Sequence, residues 1–356
     1  MALRILHLVG SAESAMLDDL SRLYAADCLR TTEDPDRYEP VVAHVAPGGS
    51  WRFPTALSDE ALGAEAPVSL AAALSRITAL GIDAMVPQMF CLPGMTHYRA
   101  IFDMLGIPYL GNPPAVMALG AHKARAKAVV AAAGVAVPAG EVVRLGEPCT
   151  VPLPAVVKPV DGDNSIGVTL VRDPRELTTA IAEACAHGEA ALVERYVELG
   201  REVRCGVLEQ RGELVTLPLE EYAVDTTTKP IRDPADKLRR GAGDELELVA
   251  KDRTRAWIVD PEDPACAPVW DAAKSCHAAL GCRHYSLFDF RLDPAGRPWF
   301  LEAGLYCSFA EQSVVSTMAS AIGITTAELF ANVLADALAG SSRPGGGAPR
   351  APARVA

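Results

Sequence analysis

Asp289 and Glu302 are the two residues whose types and spacing carry the most chemistry. Between them lies Asp293-Pro294-Ala295-Gly296, with Asp first, Pro second and Gly fourth, the preferences of a type I turn. The flanking residues are apolar, so the segment reads as two strands joined by a loop from Pro294 to Arg297. Asp293 then faces Pro298, Arg291 faces Phe300 and Asp289 faces Glu302. Directly opposed residues share a face of the sheet. Two carboxylates would thus sit side by side among Phe, Leu and Trp, which is costly unless a cation neutralises them. Oxygen-only ligands suit Mg²⁺, which takes one or two carboxylates plus substrate phosphates. A second reading stays open, in which one carboxylate faces water or meets an Arg such as Arg291.

A second constellation points to phosphate. Val156-Val157-Lys158-Pro159 is a strand ending in a lysine, and Asp161 to Gly167 is a small polar loop containing Ser165. Such a loop offers backbone N–H groups and a hydroxyl to phosphates, and the lysine offers a point charge. Lys123, on a preceding Ala-rich helix, is a second cation. Leu192-Val193-Glu194-Arg195-Tyr196-Val197 puts a carboxylate at a strand end before a connector, and Glu202 follows. A connector of this kind can present backbone groups to an adenine, and a carboxylate can take ribose hydroxyls. Solvated lysines and a helix cap are the plainer reading of the same residues.

These side chains need a scaffold, and the chain is long enough for two or three domains at 356 residues. Half of it is apolar, which supports a large core. With 33 Lys plus Arg against 45 Asp plus Glu, the net charge of −12 argues against nucleic-acid or anionic-membrane partners. No apolar run reaches membrane-spanning length, and the N-terminus reads as a strand rather than a leader. The nine cysteines are scattered without a C-x-x-C pair, so free thiols in a reducing cytoplasm fit better than zinc.

Residues 1 to about 115 alternate strands (5–9, 41–45, 84–87, 108–110) with helices (17–29, 70–80, 96–105), the pattern of a parallel α/β unit. A helix over 122–133, strands over 155–158 and 168–171, and a helix opened by Asp173-Pro174 come next. Strands over 191–194, 202–208 and 214–217 follow, and later a helix over 268–280. From 223 to 250 the chain turns polar, the texture of a lid or long loop. Helices near 314–321 and 326–338 precede a Gly-, Pro- and Ala-rich stretch from 341 to 356, expected to be disordered.

The order of these pieces resembles the ATP-grasp fold: helix lysine, strand-end lysine with small loop, E-x-Y-V connector, G-x-E, then paired acids across a hairpin. Within it the chain is similar to the D-alanine–D-alanine ligases. Gly106-Ile107-Pro108-Tyr109-Leu110-Gly111-Asn112, Lys123 through Pro138, Ala279-Leu280-Gly281-Cys282 and Ala321-Ile322-Gly323-Ile324 fit that pattern too. The resemblance covers residues 1 to 340. It implies a mixed α/β (α+β) architecture with an N-terminal substrate domain over 1–115, a central lobe over 116–200 and a C-terminal lobe over 201–340. It implies ATP and Mg²⁺ as cofactors and a homodimer. Lys123, Lys158 and Ser165 would hold the phosphates, and Glu194, Tyr196, Val197 and Glu202 the adenosine. Asp289 and Glu302 would bind Mg²⁺, and the polar segment from 223 to 250 would be the lid, with Lys229, Arg232 or Lys237 reaching the site.

Two positions depart from the dipeptide ligases. They carry an Arg two residues before the metal Asp, which steadies an oxyanion; here it is Leu287. They carry an Asn two residues after the metal Glu; here it is Gly304. Losing an oxyanion donor costs about 10²–10³ in rate. A narrower match runs through Trp51-Arg52-Phe53-Pro54, Pro87-Gln88-Met89-Phe90-Cys91-Leu92-Pro93-Gly94-Met95-Thr96, Arg283-His284-Tyr285-Ser286-Leu287-Phe288-Asp289-Phe290 and Leu301-Glu302-Ala303-Gly304-Leu305-Tyr306-Cys307-Ser308-Phe309. These segments resemble the ligases of mycosporine-like amino acid biosynthesis, which join an amino acid to the cyclohexenone carbonyl of mycosporine-glycine to give ultraviolet sunscreens.

That resemblance implies Lys158, Arg291 and Ser313 in catalysis. It implies Glu13, Gln88, His97, Arg204, Tyr306, Ser308, Gln312 and Ser313 around mycosporine-glycine and the amino acid. Two alternatives remain: an amino-acid or dipeptide ligase acting through an acyl phosphate, and an ATP-binding protein without catalysis.

Overall fold

The computed structural model describes residues 2–162, 165–228, 230–232, 238–240, 246–248 and 255–341. The N-terminal unit is built on β1 (Leu3–Gly10), α1 (Ala15–Thr31), β2 (Tyr38–Val45), β3 (Trp51–Arg52), α2 (Asp59–Ala64), α3 (Leu70–Leu80) and β4 (Ala84–Pro87). Its sheet runs β3-β2-β1-β4, with β1 parallel to both neighbours and β3 an antiparallel edge. A π-helical turn (Gly94–Tyr98) leads into α4 (Arg99–Leu105). The strand expected over 108–110 is a single bridge between Met85 and Tyr109. Helix starts follow the capping logic: Ser14 and Ser69 accept backbone N–H groups at the heads of α1 and α3, and Gly81 closes α3 in the left-handed region. Gly10 is required where β1 ends. Its φ is +105°, and a Cβ there would lie 2.1 Å from the Val45 carbonyl oxygen.

Helices α5 (Pro114–Ala121) and α6 (Lys123–Ala132) cross to the second sheet. Helix α5 was not anticipated, although Pro114 at its first turn is a known start signal. The second sheet contains β5 (Gly140–Val143), β6 (Ala155–Pro159), β7 (Thr169–Val171) and β8 (Ala191–Arg195), ordered β5-β8-β6-β7, with α7 (Pro174–Ala186) packed on it. The third sheet is antiparallel. It comprises β9 (Arg201–Gln210), β10 (Glu213–Thr216), β11 (Glu220–Tyr222), β14 (Ala256–Ile258), β15 (Tyr285–Leu292) and β16 (Pro298–Gly304), ordered β14-β11-β9-β15-β16, with β10 also on β9. Strands β12 (Leu238–Arg240) and β13 (Leu246–Leu248) form a separate ribbon. Helices α8 (Cys266–Leu280), α9 (Val314–Ser320) and α10 (Thr326–Ser341) complete the described chain.

The cores explain how these units join. One cluster puts Ile5 and Val86 of the first sheet against Leu287, Met318 and Phe330 of the C-terminal part. Another packs α6 and α8 on Phe288, Phe290 and Phe300 of the third sheet. Asn112 ties the units further, donating from its amide to the carbonyls of Tyr285 and Leu305 at 2.9 and 3.0 Å. No helix among the described residues is long and apolar enough to cross a membrane.

The central hairpin forms as a hairpin but in a different register from the expected one. Leu292 faces Pro298, Arg291 faces Trp299 and Phe290 faces Phe300. The loop is one residue longer because the Asp293 N–H bonds the Arg297 carbonyl at 3.1 Å and the Asp293 carboxylate caps Ala295 and Arg297. A β-bulge then absorbs Leu301, and Asp289 faces Glu302 after all.

Three buried histidines stay neutral. Burial pulls His7 and His277 down to about 4, and burial with Arg283 pulls His284 down to about 3. All three folded values lie below the unfolded 6.5. Below pH 6.5 the unfolded chain therefore takes up protons that the folded one refuses. Stability is full above that pH and falls as pH drops toward 4, by about 1.4 kcal/mol per pH unit for each histidine. Urea denaturation from pH 7 to 5 should show this loss. His284→Asn, which suits the φ of 62° there, should make the loss shallower.

Candidate active site

The site is a cleft between the second and third sheets. It is lined by Lys123, Lys158, Ser165, Glu194, Val197, Glu202, Asp289, Arg291 and Glu302, together with Ile231 and Arg232 from the polar segment. Each lining strand delivers its charged residue for a local reason. Strand β6 ends at Pro159, leaving Lys158 at the cleft mouth. Strand β8 pairs with both β5 and β6 and holds Glu194 at its end. Lys123 opens α6, its N–H bonded to the Val160 carbonyl at 2.8 Å and its ammonium to the Gly162 carbonyl.

On the third sheet three rows of residues are legible from the register. Glu202 of β9 faces Arg291, Arg204 faces Asp289, and Gly206 faces Leu287. On the other side of β15, Asp289 faces Glu302 and Leu287 faces Gly304. The middle row is charged: Arg204, Asp289, Glu302. The Arg204 guanidinium is bidentate on Asp289, Nε to Oδ1 at 2.6 Å and Nη2 to Oδ2 at 3.0 Å. Arg232 adds its Nη1 at 3.5 Å from the same carboxylate. Both guanidiniums lie over the Tyr222 ring, Arg232 at 3.7 Å and Arg204 at 5.4 Å. Burial raises the Asp289 carboxyl above its ordinary range, and Glu302 adds to this while Arg204 and Arg232 oppose it.

A second charged cluster sits across the cleft. Glu194 is 3% exposed and pairs through Oε1 with Lys127 Nζ at 2.8 Å and through Oε2 with Lys158 Nζ at 2.7 Å. Lys127 also donates to the Phe300 carbonyl at 2.9 Å, bridging α6, β8 and β16. Burial tends to raise the Glu194 carboxyl, but the two lysines outweigh it and hold the group below its ordinary range. Burial pulls the Lys127 ammonium down to about 8, with Lys158 adding to the pull and Glu194 opposing it.

The structure gathers most of the expected nucleotide and metal residues and places most of the expected substrate residues elsewhere. Arg291 lines the cleft, but its Nη2 is held by Glu202 at 2.6 Å and by the Pro230 carbonyl at 2.9 Å. Tyr196 lies under Arg291, 5.3 Å from guanidinium carbon to ring centre. Arg204 is engaged with Asp289 rather than open to a substrate carboxylate. Ser313 caps α9, accepting the Ser316 N–H. The Gln88 amide donates to the Ser308 carbonyl at 2.9 Å, a bridge between the first sheet and the segment after β16. Tyr306 packs on Phe90. Glu13, His97 and Gln312 are exposed and outside the cleft lining. Lys229 and Lys237 lie outside the described residues.

Sequence reasoning missed Lys127 and Tyr222; Arg232 was one of the three residues expected to reach the site from the lid, and it lines the cleft. Lys127 carried a signal: it is four residues from Lys123, on the same helix face. The pairing of Arg204 with Asp289 carried none, because it joins strands 85 residues apart.

The comparisons identify the family. A model of the D-ala D-ala ligase C-terminus matches residues 145–335. A D-alanine–D-alanine ligase from Citrifermentans bemidjiense is 30% identical over 240 residues, 66% of this chain and 72% of that one. One from Acidiphilium cryptum is 33% identical over 230 residues, 64% of this chain and 70% of the other. Among solved structures, a D-Ala:D-Ser ligase from Enterococcus faecalis superposes with a TM-score of 0.75 at 21% identity, covering 95% of this chain and all of that one. A Bacillus anthracis D-alanine–D-alanine ligase complexed with ATP gives 0.71 at 18% identity, covering 96% and 98%. The chain belongs to the D-alanine–D-alanine ligase family, with its ATP-grasp fold. It is an ATP-dependent, ADP-forming ligase that makes C–N bonds and uses Mg²⁺.

The donor set fits Mg-ATP. Two adjacent carboxylates supply hard oxygen ligands, and the lysines opposite supply charge for phosphates. A cation held there would neutralise charge on the transferring phosphoryl group. Arg204 balances the charge of Asp289 within the protein itself. Arg204→Met should therefore lower stability by about 3 kcal/mol in EDTA, because a buried carboxylate loses its partner. Mg²⁺ with ATP should raise the melting temperature of the variant by more than that of the wild type. Thermal melts in both buffers check this.

Proposed function

We propose that this ligase joins the amine of Ser, Thr or Gly to the cyclohexenone carbonyl carbon of mycosporine-glycine. The γ-phosphoryl group of ATP passes to the carbonyl oxygen, and ADP leaves. The amine attacks that carbon, the C–O bond breaks, phosphate departs, and loss of a proton leaves an imine. The reading keeps Lys123, Lys158 and Ser165 at the phosphates, Glu194, Val197 and Glu202 at the adenosine, and Asp289 with Glu302 at the metal. It also keeps domain boundaries near 115 and 200, and a homodimer.

The observation that carries it is the row beside the metal pair. The two departures from the dipeptide ligases, Leu287 and Gly304, are cross-strand partners, one step from Asp289 and Glu302. Leu287 is buried in an apolar cluster with Leu217 and Met318. A Cβ at Gly304 would be 3.7 Å from Leu287, so nothing steric forbids a side chain there. Where the dipeptide ligases keep an Arg and an Asn, this chain keeps an aliphatic residue and none. An acyl phosphate attacked by an amine builds charge on one oxygen and needs a donor for it. A conjugated enaminone spreads the charge of its intermediate over the ring and needs such a donor less.

The comparisons favour a second reading more directly. The relatives reported above bear the name D-alanine–D-alanine ligase, which supports an amino-acid or dipeptide ligase acting through an acyl phosphate. Under that reading Arg204, on the neighbouring strand, would have to leave Asp289 to stand in for the missing Arg.

ADP release with Mg-ATP and mycosporine-glycine, adding Ser, Thr, Gly or D-Ala in turn, separates the two. Amine-dependent ADP release with a red-shifted ultraviolet spectrum is expected. Release with D-Ala alone would establish the second reading. Leu287→Arg should not raise imine formation, and a large gain would count against the charge-delocalised intermediate.

A further inference from the structure

Lys127 is a buried charge beside the cleft that the expected chemistry does not use. It does not line the cleft, whereas Lys158 does, yet both pair with Glu194. Glu194 thus holds one lysine inside the wall and one at the cavity surface. If the phosphates of ATP draw Lys158 toward them, Lys158 must turn away from Glu194. A carboxylate that is 3% exposed cannot be left without a cation at small cost. Lys127 is fixed by its bond to the Phe300 carbonyl, so it stays when Lys158 leaves.

We propose that Lys127 is a positioning residue that neutralises Glu194 and so releases Lys158 to the phosphates of ATP. The proposal rests on ATP phosphates lying at Lys158, and it is independent of the acceptor substrate. Its effect belongs to phosphate-bearing ligands. Adenosine does not draw Lys158 and should not need Lys127.

The test is calorimetric binding of ATP with Mg²⁺, and of adenosine, to the full chain without acceptor. Lys127→Gln is the informative variant, since it keeps a donor for the Phe300 carbonyl and loses the charge. Its ATP affinity should fall roughly 10²-fold, the lower end of what an unpaired buried charge costs, with adenosine affinity changed less than threefold or so on the same scale. Lys127→Arg, which keeps the charge, should stay near wild type. In a Glu194→Gln background position 194 no longer holds Lys158, and the loss of ATP affinity from Lys127→Gln should there be smaller than in the wild type by about tenfold or more. Wild-type ATP affinity in Lys127→Gln would overturn the proposal. So would equal loss for ATP and adenosine, undiminished in the Glu194→Gln background, which would make Lys127 a structural strut. If Lys127→Gln does not fold, Lys127→Arg compared with Glu194→Gln decides the matter: a Lys127→Arg protein that loses ATP but keeps adenosine contradicts a role based on charge.

Discussion

Two carboxylates held side by side in an antiparallel sheet, Asp289 buried and Glu302 partly so, are the constraint on which the rest of this structure depends. Asp289 and Glu302 face each other across β15 and β16, with phenylalanines on the sheet's other face. Like charges so placed repel and are poorly solvated. The fold answers with cations from three directions: Arg204 from the next strand, Arg232 from the polar segment, and Lys127 close enough to Glu302 to feel its charge. A divalent ion bound with a nucleotide would meet the same demand. The site is thus an electrostatic balance that a ligand can take over, and catalysis in it is positioning and charge neutralisation.

The opposing wall works by the same logic with the sign reversed. Two lysines share Glu194, leaving that cluster net positive, whereas the carboxylates opposite are matched by Arg204 and Arg232. A polyphosphate complements the lysines. The lobes are locked in this relation by contacts that cross the cleft's base: Lys127 to the Phe300 carbonyl, and the Phe300 N–H to the Ala136 carbonyl at 2.9 Å. The N-terminal unit is attached through a separate apolar core and through Asn112 and Gln88.

Much of this was legible in the sequence, though unevenly. Helices with clear caps, such as α3 between Ser69 and Gly81, were readable to the residue. The facing of Asp289 and Glu302 was anticipated, but by a route that was partly mistaken. The loop is one residue longer than its turn signal suggested, and the bulge at Leu301 compensates. Bulges have no reliable signature in a single sequence. The gathering of Lys158, Glu194 and Glu202 at one cleft was readable because each sits at or near a strand end. The surroundings of Gln88 were not, because its amide meets the Ser308 carbonyl, 220 residues away in the chain. The coupling of Leu287 with Gly304 into one cross-strand pair emerged only from the register.

The central claim is that Asp289 and Glu302 seat the metal that carries ATP. The most direct measurement is ATP affinity with and without Mg²⁺, in the wild type and in Asp289→Asn, without acceptor substrate. The account predicts that Mg²⁺ strengthens ATP binding to the wild type at least tenfold or so and has little effect on Asp289→Asn. An undiminished Mg²⁺ dependence in the variant would contradict it and would make the carboxylate pair a partner of the arginines alone.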